Sequence, residues 1–248
     1  MAGGGCRRWW NFGVASLFLA AFLACQVDRA WGDAIGSPSG ILEKGQWVLG
    51  LRGRGLFKRK MNGNADASAY QGTHFRGYGL TDWLSLYGGI GAGELVINDP
   101  SAPRTGGSTQ HTFGPAIVAS VQLKGKLWET PWAGGLEWDG VVQYTDIRSH
   151  AKRRNTGRWH EWEIATCLAK SFGRLKPYAG VKYSLIRMYA LLKDQGQVLK
   201  QTRYRDGAVG PMLGTDLYLG EDKQVIVNVE GSYLSGAPEV ALSIAYTF

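Results

Sequence analysis

The sequence predicts an all-β chain closed into an antiparallel up-and-down transmembrane β-barrel of about ten strands, with eight as the alternative count. Three observations carry this. Apolar residues alternate with small or polar ones through segment after segment, the period of a strand whose two faces meet different surroundings. The connections between those segments alternate between short and long. The 248 residues include 36 Gly, 11 Tyr, 10 Trp and 8 Phe, yet past the N-terminus no apolar run is long enough for a membrane helix, which needs roughly 20 residues.

The first element is a leader. Arg7 and Arg8 precede a short apolar run, FGVASLFLAAFLA, from Phe12 to Ala24. A basic start with a short apolar centre is the pattern of a cleaved export signal. Ala30-Trp31-Gly32 is a small-x-small site, so residues 1–32 are read as the signal peptide, with Ala34 as a second cleavage candidate. Cys25 ends FLAC, which opens a lipoprotein alternative, although Phe22 and Leu23 depart from the usual lipobox. Removing the leader lowers the formal charge from +8 to +6, because it carries Arg7, Arg8 and Arg29 against Asp28. Cys6 and Cys25 leave with it, so Cys167 remains alone and no internal disulfide can staple the mature chain. Residues 33–45 are read as a short periplasmic segment and 46–248 as the barrel.

The strands then follow in order. In the first, Trp47, Leu49, Leu51, Gly53, Gly55 and Phe57 share one face, and Gly50, Arg52, Arg54 and Lys58 the other. The second, roughly Tyr70 to Leu80, is the weakest, since neither parity is clearly apolar. The third sets Leu84, Leu86, Ile90 and Ala92 against Ser85, Tyr87 and a run of glycines. The fourth sets Phe113, Ile117, Ala119, Val121 and Leu123 against Thr112, Ser120, Gln122 and Lys124. The fifth sets Leu136, Trp138, Val142 and Tyr144 against Glu137, Asp139, Gln143 and Thr145. The sixth sets Trp162, Ile164 and Leu168 against Glu161, Glu163, Ala165 and Cys167. Val181, Tyr183 and Leu185 mark the seventh, against Lys182 and Ser184. Val209, Leu213, Leu217 and Leu219 mark the eighth, against Asp216. Val225, Val227, Val229 and Tyr233 mark the ninth, against Asn228, Glu230 and Ser232. The last, PEVALSIAYTF, sets Val240, Leu242, Ile244, Tyr246 and Phe248 against Ala241, Ser243, Ala245 and Thr247. Pro115 and Pro211 fall inside these segments and cannot donate a ladder hydrogen bond, so a bulge or a strand start is expected near each.

Connections at 81–82, 124–131, 172–176 and 220–223 are short, and those at 61–68, 98–110, 149–158 and 193–206 are long. Short turns on one side and long loops on the other place both termini in the periplasm of an outer-membrane barrel, and an even strand count follows. The polar parity then faces the lumen. It carries small residues and charges of both signs: Arg52, Arg54 and Lys182 against Glu137, Asp139, Glu161, Glu163, Asp216 and Glu230. In a narrow barrel side chains nearly fill the interior, and opposed charges there are expected to pair. The aromatics suggest two interfacial girdles, Trp47, Trp83, Trp128, Trp132, Phe172 and Phe248 at one end and Phe57, Trp159, Trp162, Tyr189 and Tyr233 at the other.

The leader, the alternating strands, YGLTDWLSLYGGIG with its tight Thr81-Asp82 turn, and the terminal IAYTF together resemble small bacterial outer-membrane β-barrel proteins, the broad family that includes the transmembrane domain of outer-membrane protein A and porin-like relatives. The resemblance covers about residues 45–248. It implies that Leu242, Ile244, Tyr246 and Phe248 form the signal read by the barrel-assembly machinery. It also implies outer-membrane lipids as surroundings. A monomer is the favoured state, and nothing points to nucleic acid.

No cofactor, metal or catalytic set is legible. The four histidines, His74, His111, His150 and His160, match no transferable motif, and HEWE at 160–163 lacks the second helical histidine of a zinc protease. GGIGAG at 88–93 lies within a strand with no following helix, so it is read as small residues in a crowded interior rather than as a phosphate loop. The expected role is structural or surface-interacting around a narrow, charge-lined lumen; a small-solute or ion pore is the alternative, and a hydrolase acting on lipid A or peptides a remoter one. The long connections are strongly basic. Lys152, Arg153, Arg154, Arg158, Arg203 and Arg205 are the residues expected to contact lipopolysaccharide phosphates, if these loops do more than keep the chain soluble.

Overall fold

A computed structural model describes residues 41–102, 109–130, 135–149, 155–194, 197–220 and 224–248. The predicted leader, residues 33–40 of the segment after it, and Trp132, Lys152, Arg153 and Arg154 lie outside the described residues.

Eleven strands form one antiparallel sheet: β1 (Trp47–Lys60), β2 (Asp66–Thr81), β3 (Leu84–Asn98), β4 (Gln110–Thr112), β5 (Ala116–Thr130), β6 (Leu136–Ser149), β7 (Thr156–Lys170), β8 (Leu175–Asp194), β9 (Gln197–Leu219), β10 (Val225–Leu234) and β11 (Ala237–Thr247). Each pairs with its neighbour, and β1 pairs with both β2 and β11, so the sheet closes on itself. Strands β4 and β5 share one barrel position, both pairing with β3, which makes ten staves. The gap between them is Phe113-Gly114-Pro115, so Pro115 stands at a strand start as expected. Pro211 does not. It sits within β9 opposite Val181 with no bulge, and the ladder to β10 stops at Met212, where the missing N–H would have been needed next.

Other expectations change in detail. The connection predicted at 193–206 is strand: β8 reaches Asp194 and β9 starts at Gln197. The connection at 124–131 also shrinks, since β5 continues to Thr130. In β1 a register shift between Leu56 and Arg59, with Lys58 at φ 51°, turns Lys58 outward and Arg59 inward. Phe113 faces the interior rather than the outer face, because the Pro115 break resets the parity before it. Trp159 is fully buried, not part of a girdle, as its shared parity with Glu161 requires. The weak second strand is weak for a visible reason: it points Phe75 inward and His74 and Arg76 outward. The β10–β11 hairpin closes on Ser235 (φ 50°) and Gly236 (φ 80°), the two positive φ values a type I′ turn demands.

Around the middle of the barrel the outer surface is apolar. Ile90, Ile117, Val209 and Leu213 are all more than 60% exposed. A water-soluble chain does not leave such a belt uncovered, and a transmembrane barrel requires it. The inner surface of the same belt is polar. Toward the end with the longer connections the arrangement inverts. There Leu56, Leu95, Ile97, Phe113, Ile147, Trp159, Ile186 and Met188 form one cluster inside, while Arg148, Arg158, Arg187, Arg203 and Arg205 point out. That rim is built like a soluble β-sheet, dry within and wet outside. At the opposite end, where both described chain ends lie, Leu42 tucks into the mouth against Val48, Phe75, Tyr87 and Ala245, held by its N–H donating to Ser85 Oγ at 2.9 Å.

Candidate functional site

Two groupings of polar residues stand out, one inside the belt and one on its upper outer edge. Inside, inward parity brings Arg54 from β1 to face β7, β8 and β11. Arg54 Nη2 donates to Glu161 Oε1 and Glu163 Oε1, both at 3.0 Å, and Nε to Glu239 Oε1 at 2.7 Å. Lys182 Nζ completes the layer, 3.1 Å from Glu163, 3.1 Å from Glu230 and 3.0 Å from Glu239. Ser184 Oγ and Trp159 Nε1 donate to Glu161, and Tyr178 OH to Glu230. Two cations and four carboxylates thus meet in one cross-section and tie β1 and β11 to the opposite wall. All of these side chains are at most 4% exposed.

The other predicted lumen residues occupy neighbouring positions. Arg52 donates to Gln143 at 3.3 Å. Glu137 pairs with Lys176 at 2.8 Å. Asp216 accepts from Asn228 at 2.6 Å, and Asp139 is fully buried. Sequence reading put Lys124 on the polar parity without counting it among the lumen charges, and missed Glu239, Arg59 and Lys176. Glu239 shares the inward parity of Ala241 and Ser243, so the period alone could have found it. Arg59, which pairs with Asp206 and donates to the Ser184 carbonyl at 3.1 Å, could not be found that way, because the bulge hides its direction. Lys124 is fully buried with its ammonium 4.9 Å from the centre of the Tyr87 ring.

The outer grouping crosses four strands in two rows. Cα pairing aligns Asp146, His160, Arg187 and Arg205 in one row, and Arg148, Arg158, Tyr189 and Arg203 in the next. Arg148 Nη2 lies 2.6 Å from Asp146, and Arg158 Nε 3.2 Å from it. His160 Nδ1 is 2.6 Å from Tyr144 OH and 3.6 Å from Asp146. Arg203 stacks over Tyr189, 5.3 Å from its ring centre. Beneath the first row a cavity of about 220 Å³ is lined by Tyr144, His160, Trp162, Leu185 and Arg187. The predicted contacts Arg158, Arg203 and Arg205 therefore stand on strands, not in loops, and Arg148 and Arg187 join them. Lys200, within the stretch expected as the 193–206 connection, turns inward to Asp99 at 3.0 Å. Leu242, Ile244, Tyr246 and Phe248 all face outward along β11 and just past it.

No family model matches the chain, and no curated protein does. Among solved structures it is similar to the translocator domain of autotransporter NalP from Neisseria meningitidis, at 9% identity over 96% of each chain with a TM-score of 0.46. It is also similar to the outer membrane protease OmpT from Escherichia coli, at 12% identity over 86% of this chain and 100% of that one, with a TM-score of 0.44. The beta domain of the Bordetella autotransporter Brka matches at 13% identity over 82% and 99%, with a TM-score of 0.40.

Proposed function

We propose that this chain is an integral outer-membrane protein whose interior is sealed and whose role is structural or surface-interacting, with the longer connections outside the cell and both termini in the periplasm. The observation that carries this is the Arg54–Lys182 layer. It joins opposite walls of a narrow barrel through six ion pairs, and it lies between an apolar cluster above and the Leu42 cluster below. A solute crossing the lumen has to break several buried ion pairs at once, each costing about 3–5 kcal/mol when one partner is left alone. Planar-bilayer recording of the purified protein tests the reading. Conductance at or near the leak level is expected. Large, stable, nanosiemens-scale openings overturn it and make the chain a porin.

A further inference from the structure

The outer arginine rows carry a charge problem that the described residues solve only in part. Arg148 stands opposite Arg158, and Arg187 opposite Arg205. Like charges directly opposite across a ladder destabilise it. Asp146 offsets the first pair. Neither Arg187 nor Arg205 makes an ion pair with any carboxylate among the described residues, and Asp206, next to Arg205, faces inward to Arg59. The surroundings narrow what could offset the second pair. One step toward the belt the outward row is Tyr144, Trp162, Leu185 and Gly207, and the next is Val142, Ile164, Tyr183 and Val209, with Ile164 and Val209 more than half exposed. The arginines thus begin where the apolar belt ends, at the level of lipid headgroups. Between the two chemistries lies the cavity under Arg187, apolar on its Trp162 and Leu185 side and polar on its His160 and Arg187 side.

We propose that this face of β6–β9 binds a phosphate-bearing lipid of the surrounding leaflet. Arg187 and Arg205 hold the phosphate, Arg203 and Arg158 flank it, and the cavity takes the start of an acyl chain. A guanidinium pair presents several N–H donors in a fixed fork and suits a phosphate with more than one free oxygen. The proposal rests on the outer-membrane reading above, which makes lipopolysaccharide the phosphate lipid facing the loop end. A soluble polyanion satisfies the arginines but leaves the apolar half of the cavity unused.

The test uses the full chain folded in a phosphate-free non-ionic detergent. Lipopolysaccharide, phosphatidylglycerol and inorganic phosphate are titrated separately, with the thermal unfolding midpoint and native mass spectrometry as readouts. The expected result is that lipopolysaccharide raises the midpoint and remains bound, inorganic phosphate does neither, and the double variant Arg187→Ser, Arg205→Ser loses about tenfold or more in affinity. Both residues are exposed and their removal relieves repulsion, so the variant is expected to fold; unchanged heat-modifiable migration checks this, and Arg187→Lys, Arg205→Lys keeps the charge if it does not. An Arg76→Ser variant, on the outer face of β2, is expected to bind like the parent. If the parent neither binds nor gains stability, or the double variant binds as tightly, the site is wrong. Equal binding of inorganic phosphate replaces the lipid with a free anion. Failure of the parent to insert into vesicles instead removes the outer-membrane reading, and the lipid site with it.

Discussion

Arg54 is the side chain on which the interior depends. Its guanidinium meets three carboxylates from β7 and β11, and one other cation, Lys182, shares two of them, Glu163 and Glu239. Truncating Arg54 to Ala leaves Glu161 with no cation in contact, in a space where its side chain is 2% exposed. The expected loss is about 3–5 kcal/mol, read as a lower urea midpoint for unfolding from vesicles. If the loss comes from stranded charge rather than lost volume, adding Glu161→Gln to Arg54→Ala returns part of it, and the double-mutant cycle is strongly non-additive. Additive losses count against the coupled layer. Asp99 makes a comparable contact inside the rim, beyond the belt. Burial pushes its carboxyl upward, but hydrogen bonds from Tyr204 OH at 2.6 Å, from Ser101 and from Lys200 Nζ outweigh this and hold it well below the ordinary carboxylate range. A carboxyl held low in the folded state stabilises above its unfolded value of about 3.9 and loses that contribution as pH falls below it. Asp99→Asn is therefore expected to lower the unfolding midpoint at pH 6, and the gap to the parent is expected to narrow near pH 3. A gap independent of pH shows that the carboxylate charge is not what holds this corner.

At the scale of the strand, the period that made the fold legible also set its limits. In the belt one face meets hydrocarbon and the other a polar interior, so alternation is clean, as in β3 and β11, and parity placed Arg52, Arg54, Glu161, Glu163, Lys182 and Glu230 inside from sequence alone. Above the belt the outer face meets water and the inner face closes on Trp159, Ile186, Met188 and Tyr204. The alternation persists there with its sign reversed. Residues 193–206 read as a charged connection because charges fall on both faces of this stretch: Arg203 and Arg205 point out, while Lys200 and Asp206 turn inward. The outer arginine site was half-legible for the same reason: Arg158, Arg203 and Arg205 stood out as charge, but only the register, which aligns Arg187 with Arg205, turns separate arginines into a face. Bulges defeat parity locally, and Arg59 is the case in point. Its direction follows from Lys58 adopting a positive φ, which the surrounding residues do not announce.

The whole molecule is a barrel only if its first and last strands meet. They pair from Val48 with Thr247 to Leu56 with Glu239, and the ladder extends to reciprocal backbone bonds of 2.9 Å between Trp47 and Phe248. That reciprocity makes Trp47–Phe248 a hydrogen-bonded pair, so the neighbouring Val48–Thr247 pair is the closer, non-hydrogen-bonded kind, with Cα atoms about 4.5 Å apart. Such a spacing lies within the range a disulfide spans. Both residues face inward and are fully buried. In a background with Cys6, Cys25 and Cys167 changed to Ser, the double variant Val48→Cys, Thr247→Cys is expected to oxidise in high yield once folded and to remain reduced in urea. The oxidised chain, circularised over nearly its whole barrel, is expected to migrate differently from the reduced one after boiling, and to refold faster because the closing seam is already made. An open or shifted sheet keeps the two thiols apart, so a low yield from folded protein, with good yield from a pair placed within the β10–β11 hairpin, overturns the closed ten-stave architecture.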